Sequence, residues 1–123
     1  MSNSEVGRLG EDLACRYLER NRYSVIARNY LIKRVGELDI VVKDKSGILV
    51  FVEVKTMSPG ELKPEDQYSF AKRTKMTRAC EVFLAKYSEL VSDRAGWRMD
   101  LVAVELPDPE VSEKPRIRHY QNV

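Results

Sequence analysis

Two segments rich in β-branched residues, Gly36–Lys43 and Ile48–Lys55, are separated only by Asp44-Lys45-Ser46-Gly47. So short a connection forces an antiparallel hairpin, and the rest of the chain must fold around it. The hairpin carries charge where a buried strand normally has none: Glu37 and Asp39 in one arm, Glu53 and Lys55 in the other. Alternation puts Glu53 and Lys55 on one face of their strand, with Val50, Val52 and Val54 on the opposite face.

Register decides whether Asp39 joins them. A three-residue loop, Lys45-Ser46-Gly47, with Gly47 left-handed, pairs Asp44 with Ile48, so that Asp39 faces Glu53 and Glu37 faces Lys55. Pairing Lys43 with Ile48 instead would bury Asp39 against Val52, and the first register is preferred for that reason. Opposed carboxylates at Cβ separations of about 5 Å repel each other unless a cation lies between them. A hard divalent metal resolves the conflict, and Lys55 is placed to orient or deprotonate an attacking water or to stabilise phosphate charge. This is the set of groups that metal-assisted phosphodiester hydrolysis requires. A cross-strand Glu37–Lys55 ion pair on a solvated sheet face accounts for the alternation equally well, and the pattern alone does not choose.

Around the hairpin, Val6, Leu9, Leu13, Tyr17 and Leu18 form one helical stripe, predicting a helix over Glu5–Asn21 with Ser4 as its cap. Gly7 and Gly10 weaken that helix unless it packs very closely there. Tyr23–Tyr30 reads as a strand, followed after the hairpin by a loop with Pro59, Gly60 and Pro64. A second helix is expected over Asp66–Val91, its apolar face running from Met76 through Ala79, Cys80, Phe83, Leu84 and Tyr87 to Leu90 and Val91. Trp97–Leu106 reads as a strand and Arg116–Tyr120 as a short edge strand, with an acidic, proline-containing loop between them. The expected fold is α/β: a central mixed sheet of four to five strands flanked by two main helices, in the order α-β-β-β-α-β-(β). At 123 residues this is one domain, with a core over about 5–106 and an acidic loop and short strand or tail over 107–123.

Charge is nearly balanced, 21 Lys and Arg against 19 Asp and Glu, which argues against a basic coat protein and an acidic tail protein alike. Two stretches are nonetheless acid-free and basic: Arg20, Arg22, Arg28, Lys33 and Arg34 in one, Lys72, Arg73, Lys75 and Arg78 in the other. Either alone is equally a solvated surface; together, flanking an acidic centre, they resemble a phosphate-binding cleft. The tyrosines are scattered and no aromatic series suggests base stacking, so backbone and shape recognition is expected, not sequence readout. Arg98 and Asp100 are expected to form a buried pair supporting the sheet. Two cysteines, Cys15 and Cys80, and one histidine, His119, cannot build a zinc site, and both thiols read as buried in a reducing compartment. With no signal-like N-terminus and no long apolar run, a cytoplasmic location without membrane attachment is expected.

Gly10-Glu11 with Ala14, Arg28-Asn29-Tyr30, Gly36-Glu37-Leu38-Asp39, Phe51-Val52-Glu53-Val54-Lys55-Thr56 and Arg98-Met99-Asp100 together resemble the bacterial YraN-like family. That family is placed in the PD-(D/E)xK superfamily of restriction endonucleases and Holliday-junction resolvases, and the resemblance spans about Val6 to Val104. It implies a restriction-endonuclease-like core and a nuclease dependent on Mg²⁺ or Mn²⁺, acting on DNA more than on RNA, branched or single-stranded forms included. Asp39 matches the superfamily's metal-binding aspartate, Glu53 its second acidic ligand and Lys55 its motif lysine. The Val54 backbone carbonyl matches a further ligand, and Glu11 the helix glutamate that completes the site in resolvase-like members. Leu38 stands where the superfamily's name-giving proline would be. Arg28, Lys33, Arg34, Lys72, Arg73 and Lys75 are the candidate nucleic-acid contacts. So small a chain grips a duplex poorly, which leaves room for a homodimer or a protein partner. The alternative reading is a nucleic-acid-binding or partner-recruiting module that keeps the fold and cleaves nothing.

Overall fold

A computed structural model describes residues 1–59, 69–111 and 113–123. Helix α1 (Asn3–Arg20) is followed by strands β1 (Ser24–Ile32), β2 (Gly36–Lys43) and β3 (Leu49–Met57). Helix α2 (Phe70–Lys86), a 3₁₀ turn at Ser88–Leu90, β4 (Trp97–Glu105) and β5 (Arg116–Tyr120) complete the order. The five strands form one sheet in sequence order, with β3 and β4 parallel and every other pair antiparallel. Parallel neighbours need a crossover, and α2 lies between them in sequence.

The two helices cover different sets of side chains. Ala14, Cys15 and Leu18 of α1 pack with Ile40, Val42, Val50, Val52, Val102 and Val104. Met76, Ala79, Cys80 and Phe83 of α2 pack with Val41, Leu49, Phe51 and Met99. Strands β3 and β4 are thus apolar on both faces, which is why Leu49–Val52 reads as a continuous hydrophobic run. Both cysteines are buried thiols. Among the described residues, no helix is long and apolar enough to cross a membrane.

The hairpin adopts the expected register: Ile40 pairs with Val52, Val42 with Val50 and Lys43 with Leu49. Its loop is built as anticipated, with Gly47 at φ +88° and Gly47 N–H donating to the Asp44 carbonyl at 3.0 Å. Asp44 Oδ1 also accepts from the N–H groups of Ser46 and Ile48, at 2.8 and 2.9 Å, which fixes the turn.

Several boundaries differ from the sequence reading. The cap of α1 is Ser2, not Ser4, because only Ser2 has a glutamate three residues on: Ser2 Oγ accepts from Glu5 N–H at 3.2 Å and donates to Glu5 Oε1 at 3.0 Å. Strand β1 runs on to Ile32, where a tight turn with Arg34 at φ +68° leads into β2. Helix α2 begins at Phe70, capped by the Ser69 hydroxyl, and stops at Lys86, short of Val91. Tyr87, Leu90 and Val91 still pack against the α2 cluster, so the expected apolar face is half-buried although the helix has ended. The expected start at Asp66, and most of the loop containing Gly60 and Pro64, lie outside the described residues.

Candidate metal centre and its basic flank

The site forms where β2 parts from β3. In an unbroken hairpin of this register the ladder would run past Ile40–Val52 to pair Leu38 with Val54. Instead, Val54 N–H donates to the Asp39 side chain, Oδ2, at 2.9 Å. Alternation along β2 breaks at the same place: Leu38 and Val41 both join the α2 cluster, while Ile40 between them joins the α1 cluster. Strand β1 is irregular opposite this point. The pairs Arg28–Ile40 and Tyr30–Leu38 put Asn29 across from Asp39, and Asn29 adopts φ +51°. Asparagine tolerates that left-handed conformation better than most residues.

Helix α1 brings Glu11 to the gap, and Gly10 is what lets it come so close. A Cβ at Gly10 would fall inside the Thr56 side chain, so the helix lies directly on β3 at this level. Carboxylate oxygens of Glu11, Glu37 and Asp39 lie within 4.8 Å of one another. With its amide oriented to suit its neighbours, Asn29 donates to Glu11 Oε2 at 3.1 Å and to Glu37 Oε1 at 2.9 Å. Glu53 completes the group by sharing a hydrogen bond with Asp39. Glu11, Asp39, Glu53, Val54 and Lys55 line one cavity of about 450 Å³, with Thr56 at its side. The Val54 carbonyl points to the same side of β3 as its N–H, toward the parted strand.

Crowding leaves its mark on proton affinity. Burial, then the charge of Asp39 and then that of Glu37, pushes the Glu11 carboxyl up to about 7. Burial followed by the charge and hydrogen bond of Asp39 pushes Glu53 up to about 7 as well. Asp39 is also raised, chiefly by burial, against the opposing pull of the Val54 N–H, the hydrogen bond with Glu53 and the Lys55 charge. Carboxyls that hold protons near neutrality, gathered with oxygen donors only, are suited to a hard divalent cation such as Mg²⁺ or Mn²⁺.

Of the residues singled out in the sequence, Glu11, Asp39, Glu53, Val54 and Lys55 therefore meet in one cavity. Glu37 belongs with them, and its oxygen lies nearer the Glu11–Asp39 pair than its place opposite Lys55 suggests. Asn29 is the site residue to which sequence reasoning assigned no role; its signals were its place in the Arg28-Asn29-Tyr30 motif and an asparagine in the middle of a β-rich segment.

The basic candidates divide. Arg28 is committed to α1: its Nη2 pairs with Asp12 Oδ1 at 2.7 Å. Lys33 and Arg34 sit exposed at the tip of the β1–β2 hairpin, and Lys72, Arg73 and Lys75 are exposed on α2. The Lys75 side chain crosses to the hairpin, close enough that a Cβ on Gly36 would lie 3.1 Å from its Cε. Glu37, Glu53 and Lys55 line a second cleft together with Lys72 and Lys75, so the acidic centre and the basic helix face the same space.

Arg98 and Asp100 form the expected buried pair, Nε to Oδ1 at 3.0 Å, with Asp100 fully buried. His119, which carried no message in the sequence, donates from Nε2 to Asp100 Oδ2 at 2.7 Å, leaving Nδ1 to accept from the Tyr17 hydroxyl at 3.1 Å. This network ties β5 to β4 and α1.

The fold and site define a small α/β protein with a carboxylate–lysine cavity at a parted hairpin. The chain matches the family described as "Uncharacterised protein family UPF0102" over residues 10–104, and it belongs to that family. It is 36% identical to a UPF0102 protein of Geobacter metallireducens, covering 99% of this chain and 93% of the relative. A UPF0102 protein of Desulforamulus reducens is 35% identical over 95% of this chain and 93% of its own length. One from Geobacter sulfurreducens is 38% identical over 98% of this chain and 88% of its own length.

Proposed function

We propose that this protein is a nuclease that hydrolyses phosphodiester bonds in nucleic acid, DNA in preference to RNA, with the help of Mg²⁺ or Mn²⁺. The observation that carries the proposal is the gathering of Glu11, Glu37 and Asp39 within 4.8 Å, beside a cavity that Glu53 and Lys55 share. A solvated sheet face with a Glu37–Lys55 ion pair does not account for Glu11, Asp39 and Glu53 carboxyls that are half-buried and crowded against one another. Asp39, Glu53 and the Val54 carbonyl would hold the cation, with Glu11 and Glu37 completing its surroundings. When bound, the cation supplies Lewis-acid neutralisation of charge developing on the phosphoryl oxygens.

The chain's own groups supply the rest. Lys55 orients the attacking water and offsets negative charge as it builds up in the transition state. Asn29 holds Glu11 and Glu37 by their oxygens, so neither side chain has to be reoriented for ligation. Lys33 and Arg34 on the hairpin and Lys72, Arg73 and Lys75 on the helix receive the phosphate backbone on either side of the cut. A homodimer or a partner protein would extend that grip.

The test is cleavage of labelled single-stranded, duplex, flap and branched DNA, and of RNA, with Mn²⁺, Mg²⁺ or EDTA. Wild type should cleave only with metal, and Asp39→Ala and Lys55→Ala should lose at least 100-fold in rate, as loss of an electrostatic stabiliser does. Equal cleavage by all three proteins would mark the activity as contamination. Metal-independent binding without cleavage would favour a non-catalytic nucleic-acid-binding module.

A further inference from the structure

The first six residues of α2, Phe70–Lys75, are all exposed. Their sequence is therefore not explained by the core, and Phe70, 83% exposed at the very start of the helix, is the anomaly among them. Between this part of α2 and the tip of the β1–β2 hairpin runs a groove of about 450 Å³. Val35, Phe70 and Ala71 give it apolar surface, and Arg34, Lys75 and Arg78 give it positive charge. No carboxylate lines it among the described residues. Lys75 also lines the adjoining cleft with Glu53 and Lys55, so the groove and that cleft meet at the Lys75 side chain.

The geometry points to Phe70 as a stacking platform for an unpaired nucleobase of the substrate, with Arg34 and Arg78 holding the phosphates beside it. This rests on the nuclease reading and narrows its substrate to nucleic acid with a single-stranded segment next to the scissile bond. An aromatic face beside cations suits a base that is already out of a helix, because every base offers a π-face while a paired base keeps its own occupied in the stack. The all-cationic flank selects a polyanion over an apolar peptide or a lipid tail.

The test uses the full chain in EDTA, so that binding is read without cleavage. Anisotropy of labelled oligonucleotides should show Phe70→Ala weakening single-stranded binding about tenfold, as loss of one base–aromatic stack does. Phe70→Trp should keep the affinity, and its added fluorescence should be quenched on binding. Duplex affinity should change less than about twofold. Because Phe70 is exposed, both variants should melt like wild type. Equal weakening toward both forms, unchanged single-strand binding, or an unquenched Phe70→Trp would overturn the proposal. So would a wild-type dimer that Phe70→Ala splits without loss of single-strand affinity, since the occupant would then be a second copy of the chain. The nuclease reading fails separately. Phe70-dependent binding by a protein that cleaves nothing with Mn²⁺ supports the platform and removes hydrolysis; cleavage with Phe70-independent binding does the reverse.

Discussion

Val54 N–H donates to Asp39 Oδ2 at 2.9 Å, in the place where the hairpin register would seat the Leu38 carbonyl. One backbone ladder bond is thus exchanged for a carboxylate bond. The exchange keeps the buried N–H satisfied while opening the sheet beside Glu53 and Lys55. The site exists because β2 leaves β3 at this bond.

Crowded carboxylates make the metal-free protein pay for its site in stability. Glu53, pushed from an ordinary 4.5 up to about 7, binds a proton in the folded state that the unfolded chain has already lost. Stability therefore falls as pH rises through that window, from about 4.5 to about 7, and the full penalty remains above it. Glu53→Gln should raise the stability of the EDTA-treated protein at about pH 8 by on the order of 1–2 kcal/mol, and should flatten the decline. Thermal melts across pH decide it; a less stable Glu53→Gln protein would mean that the carboxylate is already well compensated.

Gly10 should be intolerant of even one methyl group. Its Cβ position is occupied by Thr56, so Gly10→Ala must push α1 off β3 and carry Glu11 away from Asp39. A cost of about 1–3 kcal/mol is expected, offsetting the gain in helix propensity. Pairing Gly10→Ala with Thr56→Gly should cost clearly less than the sum of the two single changes in denaturant titrations. Gly7, with open space around it, should accept alanine readily.

Acid sensitivity should come from the Arg98–Asp100–His119 network. Burial by itself would raise the Asp100 carboxyl, but hydrogen bonds from His119, Arg98 and the Asn122 N–H hold it below its ordinary 3.8. Its stabilisation is therefore complete above about 3.8 and is lost as pH falls below it. Asp100→Asn should cost about 1–3 kcal/mol at neutral pH, because a buried amide cannot accept from Arg98, His119 and the Asn122 N–H together, and should weaken the acid limb of the stability curve. Arg98 keeps its bridge to Asp44 at 3.3 Å. Chemical denaturation at several pH values reads both effects.

The hairpin was legible in the sequence because two local signals agreed: Gly47 specified the loop, and the valines specified which face is buried. That register points Asp39 and Glu53 at each other, and the two carboxyls meet in one cavity although the ladder itself ends at Ile40–Val52. Helix faces were legible for the same reason, down to Leu90 and Val91, which pack half-buried on the α2 cluster beyond the end of the helix. Asn29 was not legible, since its role depends on a left-handed twist opposite Asp39 that only the three-strand pairing reveals. His119 was hidden likewise, because its partners Tyr17 and Asp100 come from α1 and β4. The exposure of Phe70 could not be read from a sequence in which phenylalanine ordinarily marks a core.

Calorimetric titration of Mn²⁺ into the metal-free protein, in two buffers of different ionisation heat, tests the central claim most directly. Wild type should bind one cation per chain and release protons as it does so, because Glu11 and Glu53 give up the protons that crowding made them keep. Asp39→Asn should lose the binding. No binding by wild type, or the same binding and proton release by Asp39→Asn, would contradict a metal centre at this hairpin.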